Sequence, residues 1–411
     1  MLKKFIKNNL TLSLLLVLSL IIIINNFFRF FQNNSVFEFD PWLSNYQGGF
    51  VRRGIPGEIF YQIYNFLHIH PGWMVFVFVS ILYILFYLNF FNLIKNLKLN
   101  RLYVFIIFSP IAFYFPILNS KASGHKEILL LFFLSLFCLL LPKINKKKAI
   151  LFIIFISIIL GLSYEVLIFY LPYLFIPFIY FFKFKNFKDL FLCLTPILLV
   201  SLTLILINYH FSGTDKHVVD ICNSIKQYVN NDCQIVGKIA DLGLIIEGHT
   251  SQKANWDYGK SSLYPAYYKI YGLGFVVGFL PLFILYNRIK ITKFPTKYFK
   301  PHPIFILFFL QIFAFPVYYL GADWGRYLYT AYMSSIIFTF FCIKNKIFIY
   351  ENKITPNKNN IIMKFVFIIT LFFYCLGWTV PICCENKFKP GLTKVIERGE
   401  IYYKEKLLNE Y

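Results

Sequence analysis

Apolar residues fall in long unbroken runs, and polar positions cluster between the runs instead of alternating with them. A helix needs about 20 apolar residues to cross a bilayer core. Runs of that order cover 10–31, 73–94, 102–118, 127–142, 149–163, 166–182, 189–209, 271–287, 303–320, 327–343 and 361–381. The pattern predicts an all-α, polytopic membrane bundle of about eleven transmembrane helices. The first run follows Lys3, Lys4 and Lys7, and Asn25, Asn26 and Phe27 stand where small residues would mark cleavage. It reads as an uncleaved anchor.

The segment 149–182 decides the alternation. As one long span it would invert everything downstream. A tight hairpin with Gly161–Glu165 at its outer tip, or a re-entrant pair, preserves the order. Three outer segments are substantial: loops 32–72 and 210–270 and the tail 382–411. No repeat or flexible linker divides the chain, so 1–411 reads as a single membrane domain.

Composition agrees: 58% of residues are hydrophobic and only 15% charged, against about a quarter charged in soluble domains. That excludes an ordinary soluble enzyme. The formal charge of +22 suggests a polyanion partner until its distribution is read. Every second junction holds the clusters, together 21 Lys and 2 Arg against only Asp189 and Glu351. The other side carries 13 Lys and 5 Arg against 17 acids, almost neutral. The excess is therefore an orientation signal placing the N-terminus inside and the C-terminus outside. The partner is the lipid bilayer, and nucleic acid is excluded.

Cys138, Cys193, Cys342 and Cys375 lie in spans, where cysteine is a small apolar filler. Cys222, Cys233, Cys383 and Cys384 lie outside them, and Cys222 with Cys233 forms a disulfide candidate. Their spacing lacks a paired zinc-site pattern.

Polar chemistry collects at the outer ends of the spans. Glu38 and Asp40, at i and i+2 in an extended segment, point the same way. Such a pair either shares a divalent metal or supplies a general base. Arg52 and Arg53 follow among glycines, in Gly48-Gly49-Phe50-Val51-Arg52-Arg53-Gly54-Ile55-Pro56-Gly57. Guanidinium forks suit phosphate oxygens, although interfacial arginines also snorkel to lipid phosphate. The second cluster is Asp323-Trp324-Gly325-Arg326, in a turn too short to be a free loop. It reads either as a site or as an i, i+3 ion pair capping the following span.

His125 is an acid/base candidate and Lys126 a phosphate contact, with Glu127 beside them at a helix start. Glu165 either enters a cavity or caps a turn. His68 and His70 lack a third ligand, and no metal site is assigned to them. All five tryptophans map to the outer side, as an aromatic belt or as platforms for sugar rings. Arginines and carboxylates at one face of an apolar bundle suit a ligand with an anionic head and a long lipid tail.

On the layout, Gly49-Phe50-Val51-Arg52-Arg53-Gly54 and Asp323-Trp324-Gly325-Arg326, the chain resembles the bacterial membrane glycosyltransferases of surface-polysaccharide assembly. It is most similar to O-antigen and capsule repeat-unit polymerases of the Wzy type, and more distantly to the GT-C group. In GT-C enzymes an acidic pair in the first outer loop is usual, and Glu38 and Asp40 stand there. One departure is that loop 210–270 contains no Arg, which leaves the diphosphate to Arg52, Arg53 and Arg326, with Lys126.

The resemblance implies an inverting transfer from a polyprenyl-diphosphate-linked saccharide donor to a saccharide acceptor. It places the active face on the extracytoplasmic side of the bacterial cytoplasmic membrane. Glu38, Asp40, Asp323 and His125 are the implied proton acceptors, no cofactor is implied beyond a divalent metal at Glu38 and Asp40, and a chain-length regulator protein is a partner. A GT-C-type transferase using a polyprenyl-phosphate monosugar, or a non-enzymatic transporter of lipid-linked saccharides, is the alternative.

Overall fold

The computed structural model describes residues 2–33, 40–97, 101–182, 184, 186–211, 213–225, 264–293, 301–320, 323–350 and 361–382. They are helical almost throughout. Four stretches are long and apolar enough to cross a bilayer: Thr11–Phe30, Pro71–Ile94, Phe187–His210 and Lys269–Tyr286. Three shorter apolar helices, Glu165–Phe181, Pro303–Tyr318 and Phe365–Leu376, accompany them.

In chain order the first helices are α1 (Leu2–Asn33), α2 (Gly54–Leu67) and α3 (Pro71–Ile94). The segment 32–72 is thus partly helical, because α2 occupies it. The run 102–118 is not one helix, contrary to the sequence expectation. It divides into α4 (Arg101–Ile107) and a single turn, α5 (Phe115–Leu118). Pro110 lies in the break, and it has no N–H to continue the helix and biases Ser109 away from helical backbone.

Helix α6 (Glu127–Leu140) is followed by α7 (Lys146–Ser163), whose start is capped by Asn145 accepting from the Lys148 amide at 2.9 Å. Eighteen residues make α7 about 27 Å long. The return begins as a 3-10 turn over Glu165–Tyr170 and continues as α8 (Pro172–Phe181). At the far end Lys146 Nζ lies 4.3 Å from the Phe184 ring centroid. The doubtful segment is therefore a hairpin that runs from one end of the bundle to the other.

The remaining helices are α9 (Phe187–His210), α10 (Asp215–Ile225), α11 (Tyr264–Tyr286), α12 (Pro303–Leu320), α13 (Trp324–Lys344) and α14 (Ile361–Leu376). Helix α13 is the axis of the fold. Every residue from Gly325 to Cys342 is buried, and α3, α6, α8, α11 and α12 pack around it. Three of its hydroxyls, those of Thr330, Ser335 and Thr339, donate to the carbonyls one turn back.

Contacts between junctions sort the chain into two ends. At one end Lys146 pairs with Asp189 at 3.6 Å, and Lys344 donates to the Asn92 carbonyl. There too β1 (Ile289–Ile291) pairs antiparallel with β2 (Phe348–Tyr350), setting Ile289 against Tyr350. At the other end Trp42 Nε1 donates to the Gly124 carbonyl at 2.6 Å, and the Arg52 amide to Phe211 at 2.9 Å. A strap after α14 closes the same end: Asn119 Nδ2 donates to the Val380 carbonyl at 3.1 Å, and the Gly325 amide to Ile382 at 3.0 Å. The described parts of five lysine-rich junctions thus gather at one end, and the candidate chemistry at the other.

Candidate functional site

The glycine-rich run before α2 is shaped by contact. Gly49 holds φ at 119°, open to glycine at little cost. A Cβ on Gly57 would fall 1.9 Å from the Ser44 carbonyl oxygen, so α2 can sit on the preceding turn only without it. Arg53 stands at the N-cap with φ 64°, an uncommon conformation for a non-glycine residue. The strain is local to a residue whose side chain is committed inward, consistent with a functional constraint.

Arg53 meets Glu165 as a fork. Its Nε donates to Oε2 at 2.7 Å, and its Nη2 donates to Oε1. Burial pushes the Glu165 carboxyl up, but Arg53, aided by Arg52, outweighs it and holds it at about 2. Burial pulls the Arg53 guanidinium down, and Glu165 more than restores it. Arg52, fully buried, lies within electrostatic reach of the same carboxylate.

Arg326 is more completely engaged. Nε and Nη2 both donate to Oε1 of Glu127, at 3.0 and 2.5 Å. Nη1 donates to Asp323 Oδ2 at 2.6 Å and faces His125 Nε2 at 3.3 Å, while Nη2 also donates to the Tyr164 hydroxyl at 3.3 Å. A guanidinium has five N–H donors. With His125 as the neutral acceptor, all five are matched to protein atoms. Burial, then Arg326 and Arg29, drives the His125 pKa well down, which supports that neutral form.

The Tyr164 ring joins the two arginines. Arg53 Cζ lies 5.0 Å from its centroid and Arg326 Cζ 6.0 Å. Burial raises its hydroxyl to about 12, so it stays protonated. Lys126 is a structural tie: Nζ donates to the Ser163 carbonyl at 2.8 Å and to the Arg53 carbonyl at 3.3 Å, joining α7 to the start of α2. Burial and then Arg53 lower its pKa well below that of a free lysine.

Side-chain oxygens of Ser44, Tyr46, Asn208 and Ser334 are buried with no hydrogen-bond partner among the described residues, and one further such oxygen belongs to a carboxylate. Glu127 is 4% exposed, and its Oε2 meets no hydrogen-bond partner among the described residues. An unmet buried polar atom costs about 1–3 kcal/mol, more when charged, so its persistence asks for a reason.

No family model matches the chain, and no curated protein or solved structure matches it either. Function must therefore be argued from the site.

Of the sequence candidates, the structure brings together Arg52, Arg53, His125, Lys126, Asp323 and Arg326. Lys126 donates to backbone carbonyls, and Arg326 is engaged by protein acceptors at every N–H. Asp323 makes the i, i+3 pair with Arg326, but its side chain does not cap α13. Glu38 and the Asp40 side chain lie outside the described residues, and with them the divalent-metal candidate. Among the described residues no three His, Cys, Asp or Glu side chains form a metal-sized group. His70 caps α3, its Nδ1 accepting from the Gly72 amide at 3.1 Å. Cys222 is disulfide-bonded, and Cys233 lies outside the described residues.

Sequence reasoning did not place Glu127, Tyr164 and Glu165 in the site. The available signal was isolation: Glu165 is the sole charged residue between 149 and 182. A lone carboxylate in so apolar a run must find a cation or a cavity.

An apolar groove of about 900 Å³ runs between α11 and α12, walled by Tyr271, Phe275, Phe308, Phe315, Tyr318 and Trp324. Its one amide, Gln311, donates away from it to the Tyr173 hydroxyl at 3.1 Å and to Ser335 Oγ at 3.0 Å. Tyr318 packs on Trp324 and on Tyr327, with centroids 5.8 and 6.0 Å apart. The groove therefore ends one aromatic layer from Arg326.

Proposed function

We propose that this protein is a membrane glycosyltransferase acting on polyprenyl-diphosphate-linked saccharides, in the repeat-unit polymerisation of O-antigen or capsule. The observation that carries the reading is the juxtaposition of a buried arginine–carboxylate cluster with a lipid-sized apolar groove at the same end of the bundle. One ligand satisfies both: an anionic head with a long hydrocarbon tail. The near-neutral, arginine-bearing side of the chain is then extracytoplasmic, with eleven spans, the N-terminus in the cytoplasm and the C-terminus outside.

Chemically, an acceptor hydroxyl attacks the anomeric carbon of the donor as the bond from that carbon to the diphosphate oxygen breaks. The electron pair leaves on the diphosphate, and the hydroxyl proton passes to a carboxylate. Charge grows on the departing oxygen, so fixed cations nearby lower the barrier. Arg53 fits that role, because its fork already holds two carboxylate oxygens in the geometry that two phosphate oxygens offer. Glu165 occupies the place of the anion until substrate exchanges with it. A single-sugar transfer from a polyprenyl phosphate uses the same parts.

The test is genetic. Deleting the gene should reduce surface polysaccharide to single repeat units, and the wild-type gene should restore the ladder of chain lengths. Arg53→Lys, which keeps the charge but loses the fork, should fail to restore it. Normal ladders in the deletion strain would refute the reading.

A further inference from the structure

We infer that Glu127 is the general base of this transfer, taking the proton of the acceptor hydroxyl on Oε2 while Arg326 holds Oε1. The inference rests on the glycosyltransferase reading above and names a residue that the first-loop acids would otherwise be asked to supply.

Three observations carry it. First, the two oxygens of Glu127 are in different states: Oε1 accepts twice from Arg326, and Oε2 accepts from nothing among the described residues. Glu165, the other buried carboxylate at this end, gives both oxygens to Arg53 until substrate displaces it. Second, the carboxylate is held in place. Arg326 spends its remaining donors on Asp323, His125 and Tyr164, which come from three different junctions. A base fixed by its supports keeps its reactive oxygen in one position, as catalysis by proton transfer requires. Third, the two other proton acceptors nearby, Asp323 and His125, both face Arg326 Nη1. The charged or titratable neighbours are Arg326, Asp323, Tyr327 and Tyr329 from α13, and His125 and Lys126 from its own segment. Tyr164, Tyr170 and Tyr83 complete the shell.

In the step, the acceptor O–H bond gives its proton to Glu127 Oε2 as the acceptor oxygen forms its new bond to the anomeric carbon. The anomeric carbon's bond to the diphosphate oxygen breaks, and the diphosphate departs with the electron pair. Glu127 ends protonated and returns its proton to solvent or product. Arg326 touches no reacting atom in this scheme and is a positioning residue. A rival explanation is a buried water that satisfies Oε2 and plays no part in chemistry.

The experiment uses the full chain in lipid vesicles, with the lipid-linked saccharide extracted from the deletion strain as the probe. Glu127→Gln keeps an oxygen for Arg326 and removes the base. Its kcat should fall about 10²–10⁴-fold with KM for the donor within about threefold of wild type. Glu127→Asp, which keeps a carboxylate but sets it back by one methylene, should lie between the two. Turnover of the Gln variant within about threefold of wild type overturns the assignment and leaves the water reading. Should the Gln variant fail to insert, unchanged kcat in the Asp variant overturns it equally. Wild-type protein that transfers nothing refutes the glycosyltransferase reading itself, a different result from active protein indifferent to position 127.

Discussion

Arg326 gives two hydrogen bonds to a single oxygen of Glu127, across 199 positions of chain and between two helices packed directly on each other. Removing one partner of a buried pair leaves the other charge uncompensated, which costs about 3–5 kcal/mol. Arg326→Ala should therefore lose stability on that scale, because Glu127 and Asp323 would face each other without a cation. Thermal unfolding in detergent checks it. The double variant with Glu127→Ala should be less destabilised than the sum of the singles. An Arg326→Ala protein as stable as wild type would show the pair to be idle.

The Arg53–Glu165 fork sets an acid limit. With its folded value at about 2 against an ordinary 4.5, the Glu165 carboxyl takes up its proton later in the folded chain than in the unfolded one. The pair thus stabilises the fold fully above the ordinary value, and that contribution fades as pH falls toward the folded one. The difference in melting temperature between wild type and Glu165→Gln should shrink over that window. A constant difference would mean that the fork contributes no ionic stabilisation.

How much of this was legible in the sequence depended on what each residue had to meet. The lysine clusters alone sorted the junctions into two sets, and the contact of Lys146 with Asp189 and Phe184 joins members of one set. Arg53, Arg326 and Asp323 stood out because charge beside apolar runs is costly unless it has a purpose. Their partners did not. Glu127 read as an ordinary helix-start acid because its match to Arg326 is purely tertiary. The break at Pro110 was hidden by hydrophobicity, which scores a kinked run and a straight one alike.

Gly325 lies under the strap that follows α14. A Cβ there would sit 1.9 Å from the Pro381 carbonyl oxygen, so backbone must move to admit it. Gly325→Ala should cost about 1–3 kcal/mol and lower activity by shifting Arg326. Gly272 is the contrast: nothing lies within 4 Å of its added Cβ, and the residue lines the groove. Gly272→Leu should leave the melting temperature within about 2 °C of wild type. It should raise KM for a long-tailed donor more than for a short-tailed one. Equal effects on both donors would separate the groove from the tail.

Cys222 is disulfide-bonded, and Cys233 is the partner suggested by the sequence. Peptide mapping without reductant should recover the two as one cross-linked species. Cys138, Cys193, Cys342 and Cys375 should be alkylated as free thiols once the chain is unfolded. Cys222 and Cys233 recovered unlinked to each other would exclude that pairing.

The glycosyl transfer itself is measured with purified protein in vesicles, supplied with the lipid-linked saccharide that accumulates when its gene is deleted. The predicted result is longer lipid-linked saccharide together with free polyprenyl diphosphate, strongly reduced by Arg53→Lys. A saccharide that crosses the bilayer unchanged, or stays where it was with no new glycosidic bond, would contradict it.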